Sequence, residues 1–480
     1  MATTAPPQPG ITQRSAVVLA SAIRSGEVGA RDVVEAHLEV LERAQPRINA
    51  IAAARYEEAR HEADAVDAAV AAGGGGELPP LAGVPCTIKE SIAVRGMPNC
   101  AGVVARREFR STQTAPASQR LLDAGAILLG VTNTAEFCAW LESENRVYGR
   151  TSNAYDRRRI AGGSSGGEGA AVGCGGSPIG LGADSGGSIR IPAFFNGVFG
   201  HRPSPGLVPN AGHFPTAEKD PFLTIGPLAR RAEDLMPLLG IIAGADQHES
   251  CVGQAQLGAP ADVSVDDLRV VVSDESELLP VSRELYLAQE RAADALAVAG
   301  ARVEHRSMHS MRRAFWLYLT ALSDSGPSVR ELLLAEGAVS PSWRASPRPG
   351  GPHTVATRLL LAGEAISAHM PSRTTRRVLA AGRAFAAEVE ATVGSGVMLH
   401  IPHCRVAPRH GRTVGRPWVL NPTAAFSVAG LPATQVPLGL NARKLPLGVQ
   451  VAAGPNRDHL AIAVALELER ALGGWVPPSD

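Results

Sequence analysis

Apolar positions repeat with two different periods along the chain and divide it into helix-like and strand-like segments. From about Ser25 to Leu41, apolar residues recur at helical spacing, and Pro46 is expected to end this helix. Residues 50–72 are rich in Ala, Glu and Arg and predict a second helix, which stops at a run of four glycines. We interpret residues 11–76 as a helical layer that precedes the main body of the protein.

Short apolar runs alternate with glycine-rich turns between residues 81 and 245, which predicts a β-sheet with helices packed on it. The segment 323–375 is rich in Ser, Pro and Arg and has no clear period, so we interpret it as a mobile cap. The predicted strands are Ala126–Val131, 177–184, 269–274, 433–440 and 448–453, and the predicted helices are 282–299 and 457–472. The pattern is typical of an α/β protein.

Composition and charge narrow the class of protein. The chain has 480 residues with a formal net charge of +0, so neither nucleic acid nor an anionic membrane is indicated as a partner. No apolar run reaches the roughly 18 residues that a membrane-spanning helix needs. The N-terminal stretch MATTAPPQPG does not resemble a secretory signal, and the scattered cysteines indicate reduced thiols. We therefore expect a soluble, cytoplasmic protein.

Two short runs place serines among glycines, GGSSGGEG (162–169) and ADSGGSIR (183–190). A flexible linker is disfavoured because the first run continues into an apolar strand-like segment. A phosphate-binding loop is disfavoured because the pattern GK[ST] is absent. Ser164 matches the GxSxG pattern of a nucleophile elbow, but such an elbow follows a buried strand, and here a polar segment precedes it. What remains is chemistry that uses serines from both runs.

Ser188 is the better candidate for a nucleophile. It follows Ser185, Gly186 and Gly187, directly after a predicted strand that ends at Asp184. Glycines in this position let backbone N–H groups turn toward one point, which is the geometry of an oxyanion hole. The next residues, IRIPAFFNG, can begin a helix whose N-terminus faces the same point.

A serine nucleophile needs a base, and none of the 13 histidines lies in a motif typical of one. A lysine can serve if burial lowers its pKa toward neutrality. Lys89 lies in LAGVPCTIKE, after an apolar run and among small residues. The residues alone leave two interpretations of Lys89 open, a buried base or an ordinary surface charge.

Metal and acid–base chemistry are less well supported. The run HIPHC (400–404) together with His410 suggests a metal site, but Pro402 breaks any helical ligand spacing and no carboxylate is near. We expect neither a metal nor a cofactor. Glu136 and Glu168 could form an acid–base pair, but we interpret them as ordinary surface or helix-end carboxylates.

Several blocks resemble the amidase signature family, and the resemblance covers nearly the whole chain. It is carried by LAGVPCTIKESI, GGSSGGEG, ADSGGSIR, PAFFNGVFGHRPSPG and GLPATQVPLGL. Within the family these blocks are most similar to fatty-acid amide hydrolases, notably the second vertebrate type, here in a soluble form. The resemblance implies one large α/β domain, 1–480, with a mixed β-sheet covered by α-helices. We divide it into a disordered tail (1–10), a helical layer (11–76), a catalytic core (81–245), a variable substrate-side region (246–420) and a C-terminal part (421–480).

The resemblance also implies site residues. Lys89, Ser164 and Ser188 match a Ser–cis-Ser–Lys triad, in which neutral Lys89 takes a proton from Ser164 as Ser164 takes one from the attacking Ser188. Four consecutive residues match the oxyanion hole: Ser185, Gly186, Gly187 and Ser188. The residues expected to hold the lysine and the loop in place are Ser165, Asp184 and Arg190.

The implied activity is hydrolysis of carboxylic amides through an acyl-enzyme on Ser188, with fatty-acid or aryl amides and esters as candidate substrates. Two alternatives stay open: a subunit of a glutamine-dependent amidotransferase, and a non-catalytic binding protein on an amidase frame. Specificity for a small-molecule amide is expected to depend on residues 210–222 and 305–420. The oligomeric state is open, with a homodimer as one option.

Overall fold

The structure is a computed structural model, and it describes residues 10–215, 220–246, 257–325, 329–335, 351–367 and 372–479. Its helices are α1 (Ala16–Arg24), α2 (Ala30–Ile48), α3 (Tyr56–Ala69), α4 (Pro116–Asp123), α5 (Gly166–Gly173), α6 (Arg190–Phe195), α7 (Leu235–Ile242), α8 (Arg283–Val298), α9 (Ala314–Ser325), α10 (Val329–Ala335), α11 (Val355–Ser367), α12 (Ser372–Val393), α13 (Asn421–Ala429) and α14 (Asp458–Leu472). Its strands are β1 (Ile51–Ala54), β2 (Pro85–Lys89), β3 (Ile127–Thr132), β4 (Glu144–Asn145), β5 (Gly149–Arg150), β6 (Ile179–Asp184), β7 (Phe199–Arg202), β8 (Thr224–Ala229), β9 (Arg269–Asp274), β10 (Arg302–Ser307), β11 (Val397–His400), β12 (Ala433–Leu440) and β13 (Pro446–Ala453). The predicted tail, residues 1–10, lies outside the described residues except for Gly10.

One mixed sheet runs through the described part of the chain. Its 11 strands lie in the order β1-β3-β2-β6-β8-β7-β12-β13-β11-β9-β10, and β4 and β5 form a separate pair. The edge pair β1–β3 is antiparallel, β3–β2–β6 and β11–β9–β10 are parallel, and the pairs between β6 and β11 are antiparallel. The predicted α/β class with a mixed β-sheet covered by α-helices is therefore confirmed, and the strands predicted from periodicity lie close to their expected bounds.

Three neighbouring parallel strands bring the candidate chemistry to one edge of the sheet. β2 pairs in parallel with β3 on one side and with β6 on the other. Their carboxyl ends are Lys89, Thr132 and Asp184. Because the carboxyl ends of parallel strands meet at the same edge, Lys89 and the loop that follows Asp184 lie on the same side of the molecule.

The N-terminal layer differs from the prediction in two places. Pro46 does not end its helix, because α2 continues to Ile48 and ends at Asn49, whose left-handed backbone lets its N–H bond to the Gln45 carbonyl. Residues 50–72 are not one helix, because Ile51–Ala54 forms an edge strand that pairs with β3. Alanine favours helices, and only the pairing with β3 makes this short segment extended.

The substrate-side region is largely helical where it is described. The last turn of α9, all of α10 and α11 and the start of α12 fall in the segment 323–375 that was interpreted as a cap, while residues 326–328, 336–350 and 368–371 lie outside the described residues. The boundaries of the five parts of the domain stay a prediction. In the described residues no helix is both long enough and apolar enough to cross a membrane.

Candidate active site

Lys89 ends β2 in the interior, with 1% of its surface exposed. Its Nζ donates a hydrogen bond of 2.7 Å to Ser164 Oγ. Burial lowers the pKa of Lys89, against an opposing effect of the neighbouring Cys138 thiol and of more distant carboxylates. Of the two interpretations that the sequence left open, a surface charge is wrong, since the side chain is buried.

Ser164 and Ser165 lie in the turn before α5. The peptide bond between Gly163 and Ser164 is cis. The Ser165 hydroxyl donates to the Ala183 carbonyl of β6 at 3.3 Å, and the Ser165 N–H donates to the Ser188 carbonyl at 3.2 Å. Ser165 therefore holds the two serine-containing loops together, and its hydrogen bonds reach the backbone rather than Lys89.

Ser188 lies in the loop between β6 and α6 and is half-buried. The Gly187 N–H donates to Asp184 Oδ1 at 2.7 Å, so this N–H points into the protein. No acceptor in the described part of the chain binds the N–H groups of Ser185, Gly186 and Ser188. Of the four expected oxyanion-hole donors, these three are available to a ligand.

Asp184 and Arg190 form a buried ion pair beneath this loop. Arg190 Nε and a terminal nitrogen each donate to the carboxylate at 3.0 Å, and both side chains have 0% exposure. Arg190 also donates to the Thr423 carbonyl and to Gln450 Oε1, each at 2.9 Å. Burial acts to raise the pKa of Asp184, but the charges of Arg190 and Arg202 and the hydrogen bonds to the carboxylate together outweigh it and lower the pKa to about 2. The pair ties the loop to the C-terminal part of the sheet.

Glu168 and Glu136 were expected to be surface or helix-end carboxylates; Glu168 does lie at a helix end, but both are buried, so neither is a surface group. Glu168, in the first turn of α5, accepts from the hydroxyls of Thr87 and Thr132 at 2.7 Å each, and burial raises its pKa to about 8. Glu136 accepts from His353 Nδ1 at 2.6 Å. It also accepts from the N–H of Thr354 at 2.7 Å, just before α11. Sequence reasoning missed their burial because each depends on partners that are distant along the chain.

The histidines considered for a metal site have protein partners instead. His400 Nδ1 lies 2.5 Å from the Ser273 hydroxyl, and its Nε2 lies 2.8 Å from Glu277 Oε1. His403 Nδ1 lies 2.7 Å from the Arg405 carbonyl, and burial lowers its pKa to about 4. Each ring is therefore engaged with a different part of the protein.

Two residues that sequence reasoning missed touch the loop before Ser188. Tyr318 of α9 lies with its hydroxyl 2.9 Å from Ser185 Oγ. Thr423 of α13 donates to the Gly186 carbonyl at 2.6 Å. Both residues sit in apolar helical segments, where the sequence carries no signal that singles them out.

Comparisons with known proteins agree over almost the whole chain. A family model described as Amidase matches residues 32–462. Fatty-acid amide hydrolase 2-B of Danio rerio is 40% identical over 485 residues, which cover 97% of this chain and 90% of that protein. One subunit of the glutamyl-tRNA(Gln) amidotransferase of Deinococcus radiodurans is 33% identical over 478 residues, covering 95% and 97%. The solved structure of a bacterial aryl acylamidase of the amidase signature enzymes superposes with a TM-score of 0.84 at 24% identity, covering 96% of each chain.

Proposed function

The chain belongs to the amidase signature family and is an amide hydrolase, and on that premise we propose that Ser188 is its nucleophile, with Ser164 and Lys89 as the proton relay. The observation that carries the proposal is the buried 2.7 Å contact between Lys89 Nζ and Ser164 Oγ. A hydroxyl beside a desolvated amine is the arrangement that proton transfer needs. The hydrogen bond from the Ser165 N–H to the Ser188 carbonyl supports a position of Ser188 beside Ser164 and Lys89.

The proposed reaction starts with a neutral Lys89, which burial favours. A neutral amine can accept as well as donate, so Nζ takes the Ser164 proton while Ser164 Oγ takes the proton of Ser188. Ser188 Oγ then forms a bond to the carbonyl carbon of the amide. The relay returns the proton to the leaving amine as the C–N bond breaks. Water, deprotonated through the same relay, releases the acid from Ser188.

We place the oxyanion hole in the segment Ser185–Ser188, with the N–H groups of Gly186 and Ser188 as its donors. Donors that are fixed before the reaction stabilise the negative charge that develops on the carbonyl oxygen. The Asp184–Arg190 pair supports this assignment, because Asp184 also accepts from the N–H groups of Gly187 and Ile189. These bonds hold the backbone on either side of Ser188.

An apolar acyl group is the proposed substrate feature. Close to the Lys89 end of the site lies a cluster of buried apolar residues: Ala101, Val103, Phe137, Phe214 and Leu333. The rings of Phe137 and Phe214 meet edge to face at 5.7 Å. A substrate cleft bordered by this cluster would suit a fatty or aryl chain better than a polar one. The residues 216–219 of the expected specificity loop lie outside the described residues.

The test is hydrolysis of a series of amides with graded acyl length by the purified chain. We expect turnover that improves with an apolar acyl group and that is lost in Ser188→Ala and in Lys89→Ala. A fluorophosphonate probe is expected to label the wild type and not Ser188→Ala. Near-wild-type turnover in either variant would exclude the proposed triad, and an unlabelled wild type would favour a non-catalytic binding protein.

A second candidate is an amidotransferase component, which the 33% identity to one subunit of a glutamyl-tRNA(Gln) amidotransferase favours. Such a component would release ammonia from glutamine for a partner protein. The same assay separates the two candidates when glutamine is added to the series. Turnover of simple apolar amides by the isolated chain, without turnover of glutamine, is the result we expect.

A further inference from the structure

Tyr318 links the substrate-side region to the loop that carries the candidate nucleophile. It lies on α9, between β10 and β11 in the chain, yet its side chain is 8% exposed and packs against the core. Its ring lies 5.2 Å from the ring of Phe222, at an interplanar angle of 37°. The function proposed above gives this tyrosine no role.

The hydroxyls of Tyr318 and Ser185 form a hydrogen bond in which either oxygen can be the donor. Burial raises the pKa of Tyr318, so the phenol stays protonated and can donate to Ser185 Oγ, 2.9 Å away. The Ser185 hydroxyl can then donate onward to Asp220, whose pKa burial raises against that hydrogen bond. The three side chains therefore form an ordered chain from α9 to the loop before Ser188.

The ring of Tyr318 also covers the backbone of Gly186. A Cβ atom at this position would lie 2.9 Å from Cζ and 3.0 Å from Oη of Tyr318, which is closer than real Cβ contacts. Gly186 is therefore needed so that the ring can approach this closely. With no side chain of its own, the Gly186 peptide would rotate freely unless its neighbours restrained it.

Thr423 restrains the same peptide segment from the opposite helix. Its hydroxyl donates to the Gly186 carbonyl at 2.6 Å. The helices that carry the two side chains are joined near their N-termini, where Asn421 bonds to the Phe315 N–H at 3.0 Å and to the Met311 carbonyl at 3.1 Å. Tyr318 and Thr423 therefore both contact Gly186 from two helices, α9 and α13, that Asn421 joins by hydrogen bonds.

We propose that Tyr318 is a positioning residue for amide hydrolysis, which holds the Ser185–Gly186 segment so that the Gly186 N–H faces the developing oxyanion. The proposal rests on the function proposed above. Fixed donors are worth more than mobile ones because no reorganisation is needed as charge develops. A restraint of this kind acts on the transition state, so its loss should lower kcat and leave KM nearly unchanged.

The experiment compares Tyr318→Phe, Tyr318→Ala and Ser185→Ala with the wild type on one amide substrate. Because losing a whole oxyanion donor costs roughly 10²–10³-fold in rate, we expect misalignment of one donor in Tyr318→Phe to cost about tenfold in kcat. KM should stay within about twofold of the wild type, and Tyr318→Ala should lose about 100-fold because the ring is gone as well. Tyr318→Phe made in the Ser185→Ala background should cause no further loss, because its hydrogen-bond partner is already absent.

A trifluoromethyl ketone gives a second measurement, since its adduct with serine places an oxyanion in the same hole. We expect it to bind Tyr318→Phe about tenfold more weakly than the wild type, in line with the loss in kcat. The matched control is Tyr286→Phe on α8, whose tyrosine is 39% exposed and lies outside the site. That variant should match the wild type in kcat, KM and inhibitor binding.

Each outcome decides between the inference and the function on which it rests. If the wild type turns over amides and Ser188→Ala does not, but kcat of Tyr318→Phe stays within twofold of the wild type, the positioning role is excluded and the function stands. A raised KM with unchanged kcat would also exclude it, because that pattern indicates substrate contact. If Tyr318→Ala does not fold, the isosteric Tyr318→Phe and the double variant still decide the question. An inactive wild type, or an active Ser188→Ala, would exclude the proposed function itself.

Discussion

Asp184 and Glu168 are both fully buried carboxyl groups in the catalytic core, and they differ in the partners that surround them. Asp184 has a guanidinium against it and backbone N–H groups around it, and its pKa is lowered to about 2. Glu168 has two threonine hydroxyls and no ion-pair partner within the described residues, and its pKa is raised to about 8. Near neutral pH the first is therefore charged and the second mostly protonated.

Burial alone therefore does not set the charge of a group in this site. Removing a carboxylate from water costs free energy, and only a close cation with several hydrogen bonds offsets that cost. Burial has the corresponding effect on Lys89, whose charged form is a cation. It is buried like Glu168, its closest partner is a neutral hydroxyl, and its pKa is lowered. Burial therefore disfavours the charged form of the proposed base, as it does that of Glu168.

The largest expected effect comes from keeping a charge at position 89. In Lys89→Arg the guanidinium cannot release its proton, so we expect kcat/KM to fall on the order of 10⁴-fold. In the wild type kcat/KM should rise with pH, because the amine is neutral only above its lowered pKa. Steady-state assays from pH 5 to pH 10 check both statements. An arginine variant within tenfold of the wild type would remove Lys89 from the relay.

The next effect comes from breaking the ion pair beneath the loop. Arg190→Met removes the closest cation of the buried Asp184 carboxylate and leaves Arg202 Nε, 3.9 Å away, as its remaining ion-pair partner, so we expect the free energy of unfolding to fall by about 3 kcal/mol. Urea unfolding at pH 7 measures it. The double variant Asp184→Asn with Arg190→Met should lose less than the single one, because it also removes the carboxylate that the single variant leaves without its closest cation. Arg470→Met, at an exposed pair with Glu467, is the matched control and should change stability by less than about 1 kcal/mol.

A smaller effect concerns the pH dependence of Glu168. Its folded pKa of about 8 lies above the ordinary value of 4.5, so the folded state binds more protons than the unfolded state between those values. Glu168 therefore stabilises the fold at low pH, and this contribution is lost as pH rises toward 8. We expect the wild type to lose about 3 kcal/mol relative to Glu168→Gln between pH 5 and pH 8. If the free energy of unfolding changed equally with pH in the wild type and in Glu168→Gln, the carboxyl of Glu168 would already be ionised at pH 5 in the folded protein.

The smallest expected effect comes from removing one of the threonine hydroxyls that bind Glu168. Thr87→Val removes one of the two bonds to Glu168 at nearly constant shape, and we expect a loss of about 1 kcal/mol in the free energy of unfolding. The pKa of Glu168 should rise further, since the hydroxyl favours its charged form. Thr320→Val is the control, because that hydroxyl is exposed and bonds only within α9. Equal losses in both variants would mean that the bond to Glu168 has no special weight.

Periodicity predicted five of the 11 strands of the sheet, and these five are mostly buried along their length. β3, β6 and β9 follow the apolar runs from which they were predicted. The strand Ile51–Ala54 could not be predicted in this way. Its alanines carry no period of two, and its extended form depends on β3, which is distant along the chain.

For the candidate site, short motifs identified the residues and could not give their environment. Lys89, Ser164 and Ser188 were found because the glycines and the surrounding blocks mark them. Glu168 was interpreted as a surface or helix-end carboxylate, and it does lie in the first turn of α5. Its burial follows from Thr87 and Thr132, which are brought to it by two other strands.

The family, the α/β class and the chemical types of the proposed catalytic groups can be predicted from the sequence alone, because they depend on local patterns and on residue identity. The charge of each buried group depends on its neighbours in the tertiary structure. The same is true of which helix reaches the loop before Ser188. Arg190 and Arg202 lie against the buried Asp184 carboxylate, Lys89 Nζ has the Ser164 hydroxyl as its hydrogen-bond partner, and Tyr318 meets Ser185 from a separate helix. These contacts join residues far apart along the chain, and a pKa or a loop position depends on what lies within a few ångströms in space.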